Sequence, residues 1–414
     1  MPATGDRGDA DGRRRHDIRI VTGDHDGFAG DAVWCPAMQI CWQTTWEALN
    51  GGKPMELPWL TGIEAMSMEV MSEHPYDESK FASGRMCSFA GEISEAEQDA
   101  MLSSWLGREH PVLGGCEIGD NPDSVSLCAA PQFSFSFYEG FDTRGDASES
   151  PVQWTFGTEW HGNVARHVTY AYADDPGQME HAFPLFYDDF DRNAVAIGTL
   201  DGDLAVLTQG LVGTTVAELW EDLVRHSAES ETPKTLDADG DTLSFPVIGA
   251  MLKRTHPEWA LEEVESEAGS LRMGRITHAI GFVLDADGCG TVSALPEATP
   301  ADSKTEAEPE ATDRGFDYSD DFILFLVDGE ACRCYSASEC PVTLADAYPY
   351  FAVSVHDITC FQDGAERLVD YDPLWGTDID TGNTVTKAAS TPVDETEGAG
   401  DNPENPSDGS QGGE

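Results

Sequence analysis

The sequence predicts an α+β fold built from large mixed β-sheets, with its helices gathered toward the N-terminus. Three observations carry this. Apolar residues recur at helical spacing early in the chain and at a period of two from residue 124 onward. No linker-like stretch divides residues 18–386, which therefore read as one large domain. The 414-residue chain is 40% hydrophobic and holds ten Trp, enough for an extensive core.

In chain order, residues 1–17 read as a flexible polar arm. "PAMQICWQTTWEALN" (36–50) sets Met38, Cys41, Trp42, Thr45, Trp46 and Leu49 at helical spacing. Pro36 suits the first turn of that helix, and Gly51 and Gly52 suit its stop. Residues 61–109 read as further helix broken at Pro75 and Gly84, with Ser94 and Glu97 spaced as a capping box. From residue 124, "SVSLCAA" and "FSFSFYEGF" alternate as strands, with Phe133, Phe135 and Phe137 on one face. "NVARHVTYAYA" (163–173) alternates Val164, Arg166, Val168, Tyr170 and Tyr172 against smaller or polar neighbours, and "HAFPLFYDD", "NAVAIGTLDGDLAVLT" and "DTLSFPVIG" continue the β pattern. "TTVAELWEDLVRHS" (214–227) is an amphipathic helix opened by a second capping box, Thr215 and Glu218. "RMGRITHAIGFVLD" (272–285) is long enough for a central strand, and residues 387–414 read as a disordered acidic tail.

The formal net charge is −54, with lysine only at Lys53, Lys80, Lys234, Lys253, Lys304 and Lys387. Such a surface repels nucleic-acid phosphates and anionic membranes and fits solvation at high ionic strength, a halophilic-like composition. No run of eighteen apolar residues is present and no secretory signal is visible, so a cytoplasmic monomer is the expectation. "CRCYSASEC" clusters Cys332, Cys334 and Cys340 without paired C-x2-C spacing, and these read as reduced loop cysteines rather than metal ligands. Glu159, His161 and His167 in "EWHGNVARH" sit in a strand-like context. "LDADGDT" (236–242) and "LDADGCG" (284–290) lack calcium-ligand spacing and read as tight turns, and "DDFDRN" reads as a solvated turn. With no GxSxG, GxGxxG, phosphate loop or HExxH, neither an enzyme nor a cofactor is expected.

One stretch stands apart. In "FVLDADGCGTVSALPEATPADS" (282–303) an apolar run ends in an Asp-Gly turn, small residues follow, and the chain turns acidic and proline-rich. It returns at "YSDDFILFLVDG" (318–329) to a buried-looking strand. "THAIGFVLDADGCGTVSA" resembles the end of the central strand and the hinge of the serpins, and "YSDDFILFLVDG" is similar to the strand that follows their reactive loop. Three further segments fall in serpin order. "DAVWCPAMQICWQTTWEALNGG" (31–52) resembles the helix behind the main sheet, "SVSLCAAPQFSFSFYEGFDT" (124–143) the strand that ends in the family's FDxxxT pattern, and "FPLFYDDFDRNAVAIGTL" (183–200) the "LPY" strand pair. Cys35 stands where the family has Ser, Ala130-Pro131 interrupts a long strand, and the chain runs on past the post-loop strand, with Tyr350–Asp357 as the candidate last strand.

The resemblance implies a serpin-like fold with an exposed reactive-type loop at 288–317. It further implies suicide-type inhibition of serine or cysteine proteases: a target protease cuts the loop, which inserts as an extra central strand. The alternative is a non-inhibitory binding or structural protein on the same fold. The implied hinge is Asp287, Gly288, Cys289, Gly290, Thr291, Val292, Ser293 and Ala294. Alternation puts Cys289, Thr291, Ser293 and Leu295 on the inward face. Beyond it, Pro296 and Pro300 lack an N–H for a ladder and Glu297 would turn inward, so insertion is expected to reach about Leu295 and no further. Counting forward from the hinge places the scissile region at Thr299, Pro300, Ala301, Asp302 and Ser303. Counting back from Tyr318 places it near Glu308–Thr312, which includes Glu310. Lys304 and Arg314 are the trypsin-type candidates.

Overall fold

The computed structural model describes residues 18–77, 86–106, 115–118, 124–146, 151–156, 159–165, 168–173, 176–237, 240–260, 262–267, 269–290, 314–319, 321–329, 342–356, 358 and 361. The chain opens with strands β1 (Arg19–Val21) and β2 (Ala32–Trp34) and helix α1 (Ala37–Leu49). Pro36 is the N-cap of α1, and Gly51 and Gly52 leave the helix at φ +62° and +79°, a left-handed path that a side chain resists. Every residue of α1 from Ala37 to Trp42 is buried, because the helix lies behind a sheet rather than on the surface.

Helix α2 (Gly62–Glu73) follows, but the helical reading of 61–109 does not hold throughout. Met86–Gly91 forms strand β3, buried at every position except the half-buried Phe89. A short strand covered on both faces has no period of its own, so pattern alone does not separate it from helix. Helix α3 (Glu95–Leu106) starts at the expected capping box. The Glu97 N–H donates to Ser94 Oγ at 3.3 Å, and the Ser94 N–H donates to Glu97 Oε2 at 3.0 Å.

The β-rich part then runs through β4 (Gly115–Ile118), β5 (Ser124–Pro131), β6 (Ser134–Ser136), β7 (Asp142–Asp146), β8 (Pro151–Phe156), β9 (Glu159–Ala165) and β10 (Val168–Tyr172). The alternating stretch 163–173 contributes to two strands. β9 pairs with β8 in a hairpin while β10 joins another sheet, and the period-two pattern runs across the break because both halves are strands. Helix α4 (Pro176–Glu180), β11 (Ala182–Asp189), β12 (Arg192–Gly198), β13 (Leu204–Gln209) and helix α5 (Val216–Glu229) follow. The Thr215 hydroxyl caps α5 by accepting from the Glu218 N–H. The Glu218 carboxylate reaches back one residue further than the expected box, to the N–H and hydroxyl of Thr214. The last elements are β14 (Asp241–Pro246), β15 (Ile248–Thr255), β16 (Glu263–Ser266), β17 (Gly269–Leu284), β18 (Gly288–Gly290), β19 (Arg314–Asp317), β20 (Phe322–Val327) and β21 (Pro349–Val355).

These strands make the large mixed sheets the sequence predicts. One sheet runs β1-β2-β21-β20-β13-β12-β11, and a four-stranded sheet runs β19-β14-β10-β7. The main sheet runs β4-β3-β5-β17, with β15 and β16 on the far edge of β17 and the pair β18-β6 at its upper end. β17 is the expected central strand, and all nine residues from Ile276 to Leu284 are buried. One face of the main sheet meets α1 and the large core. The other is covered by α3, whose Leu102 and Trp105 pack on Cys87, Cys128, Ala130, Ala279 and Val283.

Candidate functional site

β17 ends at Leu284 in a turn made by Asp285. Its Oδ1 accepts from the N–H of Asp287 at 2.9 Å and of Gly288 at 3.0 Å, an arrangement that mimics a backbone turn. Burial raises the Asp285 carboxyl pKa, and these two N–H donors oppose the rise.

The turn sends the chain back into the sheet. β18 lies antiparallel to β17, with Val283 opposite Gly290 and Leu284 opposite Cys289. Its other edge pairs with β6, with Gly288 opposite Ser136, Cys289 opposite Phe135 and Gly290 opposite Ser134. Gly288–Gly290, read from the sequence as the start of a hinge, thus form a short strand between two others. Glycine is required at its root: a Cβ on Gly288 would lie 2.1 Å from the Phe135 carbonyl oxygen and 3.0 Å from Ser136 Cα. Cys289 points into the large core with no exposure, and burial drives its thiol pKa well up.

Lower down, β17 pairs directly with β5, and the two are parallel. Leu127, Cys128 and Ala129 of β5 stand opposite Ile276, Thr277 and His278. Below them β17 carries one extra residue, a bulge between Met273 and Ile276. The edge of β17 therefore forks. His278 is its last partner of β5, and Val283 its first partner of β18. Among the described residues, Ala279–Phe282 pair only with β15, on the other edge.

Two side-chain groups mark the fork. Behind the sheet, Cys35 Sγ lies 3.2 Å from His278 Nε2, and both groups are fully buried. Burial lowers the His278 pKa to about 3 and pushes the Cys35 thiol up to about 12. The pair is neutral and sealed from solvent, so this thiol is no nucleophile. In front, the Gln98 amide of α3 donates to the carbonyls of Leu127 at 2.8 Å and Arg275 at 3.0 Å, bridging β5 and β17. The Thr277 hydroxyl donates to Gln98 Oε1 at 3.3 Å. Asp99 adds ion pairs to Arg275 at 2.9 Å and to Lys253 of β15 at 3.5 Å. Helix α3 thereby ties three neighbouring strands together. Sequence reasoning noted Cys35 but missed His278, Gln98 and Asp99. The one available signal was a polar pair, Thr277-His278, opening an otherwise apolar run.

Of the site residues read from the sequence, the structure places Asp287, Gly288, Cys289 and Gly290 in the turn and β18, and Arg314 at the start of β19. Arg314 serves as an anchor there. Its guanidinium pairs with the buried carboxylate of Asp241 and donates to the carbonyls of Pro233 at 3.2 Å and Thr235 at 2.9 Å. Thr291–Ala294, Thr299–Lys304 and Glu310 lie outside the described residues, as do His167, Cys332, Cys334 and Cys340.

No protein-family model matches the sequence, and no curated protein matches it. The solved structures to which the chain is similar include several serpins. A serpin from the trematode Schistosoma haematobium is 11% identical, with 79% of this chain and 94% of that chain covered and a TM-score of 0.40. Tengpin, a thermophilic serpin in its native state, is 11% identical over 81% and 90% of the two chains, with a TM-score of 0.43. The complex of thyroxine-binding globulin with thyroxine is 10% identical over 80% and 93%, with a TM-score of 0.38. What the fork can do follows from its own register.

Proposed function

We propose that this chain is a divergent serpin-type protein that presents its 288–317 loop to a protein partner and holds that loop, beyond Gly290, out of the main sheet, a binding or structural role without a covalent trap. The segments that carry the resemblance support the serpin-type part. "THAIGFVL" is the central strand, "FILFLV" the strand after the loop, and "PAMQICWQTTWEAL" the helix behind the main sheet.

The observation that carries the rest is the register of β18. Each further residue of the loop would meet the next lower residue of β17, so continued insertion brings Pro296 opposite Thr277 and Glu297 opposite Ile276. Pro296 has no N–H to give to a central ladder. Glu297 shares the parity of Cys289 and would face the core beside Ile276, which is fully buried. Burying an unpaired carboxylate there costs several kcal/mol. The part played by this chain is then recognition rather than catalysis, as a monomer with a protein partner. Among the described residues no helix is long and apolar enough to cross a membrane.

A second reading, a suicide-type inhibitor of serine or cysteine proteases, is favoured by the pairing of β18 between β17 and β6. Incubation with a panel of serine and cysteine proteases separates the two. The expected outcome is a clipped chain and a protease of undiminished activity. A protease–chain adduct that survives boiling in SDS would establish the second reading.

A further inference from the structure

Away from the fork, a groove runs between helix α2 and the segment 54–60. From its shape and charge we infer a binding site for a small amphipathic organic cation, an apolar body that carries one ammonium head. The site is independent of the loop and of the serpin-type reading.

The groove holds about 440 Å³, within the size range of small-molecule sites. Its floor is apolar: Met55, Leu57, Leu60 and Met68 line it and all four are buried. Its mouth carries charge of one sign. Glu56 stands on the segment side, with Glu69 and Glu73 one helical turn apart on α2, and all three are exposed. Among the described residues no lysine or arginine lines it. Lys53, which precedes the segment, is held instead by Glu267 at 2.6 Å. The floor can take the body of a ligand, and the two flexible methionines let it adapt to that body's shape. Carboxylates on both walls favour a positive head and repel an anion.

Both walls are held from behind, so the groove stands ready before a ligand arrives, which lowers the cost of ordering it. Pro54 and Pro58 restrict the backbone of the segment. The Asn50 amide donates to the carbonyls of Lys53 at 2.9 Å and Pro54 at 3.2 Å, and Trp59 Nε1 donates to the Glu258 carbonyl at 3.0 Å. On the other wall, the Ser67 hydroxyl donates to the Asp26 carboxylate at 2.6 Å. The Gln39 amide donates to the carbonyl of His74, just past the end of α2, at 3.0 Å.

Length favours a small molecule over a docked peptide. On α2 the groove runs from Ala65 to Glu73, about 12 Å of helix. A peptide helix is itself about 10–12 Å across, as wide as this groove is long.

The test uses the full chain with labelled methionine methyl groups read by NMR and assigned by single Met→Leu replacements. The probe is octyltrimethylammonium, kept below micelle formation. Tetramethylammonium supplies the head alone, and octanesulfonate the same body with a negative head. Octyltrimethylammonium is expected to shift the Met55 and Met68 methyls saturably and to leave the core methyl of Met273 unmoved. The other two probes are expected to leave all three unmoved. Glu69→Gln with Glu73→Gln should weaken binding about fivefold. Glu229→Gln with Glu231→Gln, the same change of charge at the C-terminal end of α5, should leave binding as it is. No saturable shift at Met55 and Met68, or equal shifts from octanesulfonate, would overturn the site. Equal weakening by the two double variants would overturn the role of its carboxylates. Shifts of the same methyls when the chain alone is concentrated would place a second copy in the groove and overturn the small-molecule assignment.

Discussion

Burial holds the His278 imidazole neutral, with its pKa lowered to about 3, and Arg254 and His256 nearby push in the same direction. In the unfolded chain the group titrates near 6.5. Between those values the unfolded state binds the extra proton, so the stability present above about pH 6.5 is lost as pH falls toward 3. From pH 7 to pH 5 this one residue should remove about 2 kcal/mol. Other groups titrate too, so the measure is a difference: urea unfolding of the native chain against His278→Gln is expected to show the variant losing less stability over that interval. Gly288→Ala tests the hinge at the same scale. The added Cβ meets the Phe135 carbonyl, so β18 should leave the sheet at a cost of about 1–3 kcal/mol, and Cys289 should become reactive to a thiol reagent. The small residues around Cys289 were legible in the sequence, and their place between β17 and β6 leaves no room for a Cβ at Gly288. The contact of Cys35 with His278 was not, since 243 residues separate the two and no local pattern links them.

The loop is framed by two elements with opposite chemistry, a strand-like root at Gly288–Gly290 and an ion-paired anchor at Arg314. Because the Arg314 guanidinium is held by Asp241 and two carbonyls, limited trypsin digestion is expected to cut after Lys304 and to spare Arg314. Mass measurement of the fragments checks this. Thr215→Ala should cost about 1 kcal/mol by removing the cap of α5, read from chemical denaturation. Helices α1 and α5 and the long strand β17 were legible because their period and stop signals are local. β3 was not, because a strand buried on both faces looks like any short apolar run. The division of 163–173 into β9 and β10 was not, because alternation survives a change of sheet. Gln98 was equally hidden: within α3 it is one polar residue among many, and only the bulge in β17 gives it two carbonyls to bind.

At the scale of the molecule, one feature of the sequence sets behaviour: a net charge of −54. Like charges at this density strain the compact state, and raising salt from 0.1 M to 1 M shortens the screening length from about 10 Å to about 3 Å. The melting temperature is therefore expected to climb with sodium chloride over that range. The α+β class was legible from periodicity, and the order of segments pointed to the serpin path. The pairings that create the fork, β17 with β5 and β18 with β6, join residues far apart in the chain and needed the structure. The central claim is that the loop does not become a full strand of the main sheet. Thermal unfolding of the intact chain against the chain nicked once after Lys304, at fixed salt, tests it most directly. A loop that stays out of the sheet beyond Gly290 leaves the melting temperature unchanged to within about 2 °C, since no strand is added. A large rise on nicking would mean that the loop has become a full central strand past Pro296 and Glu297, which contradicts the account.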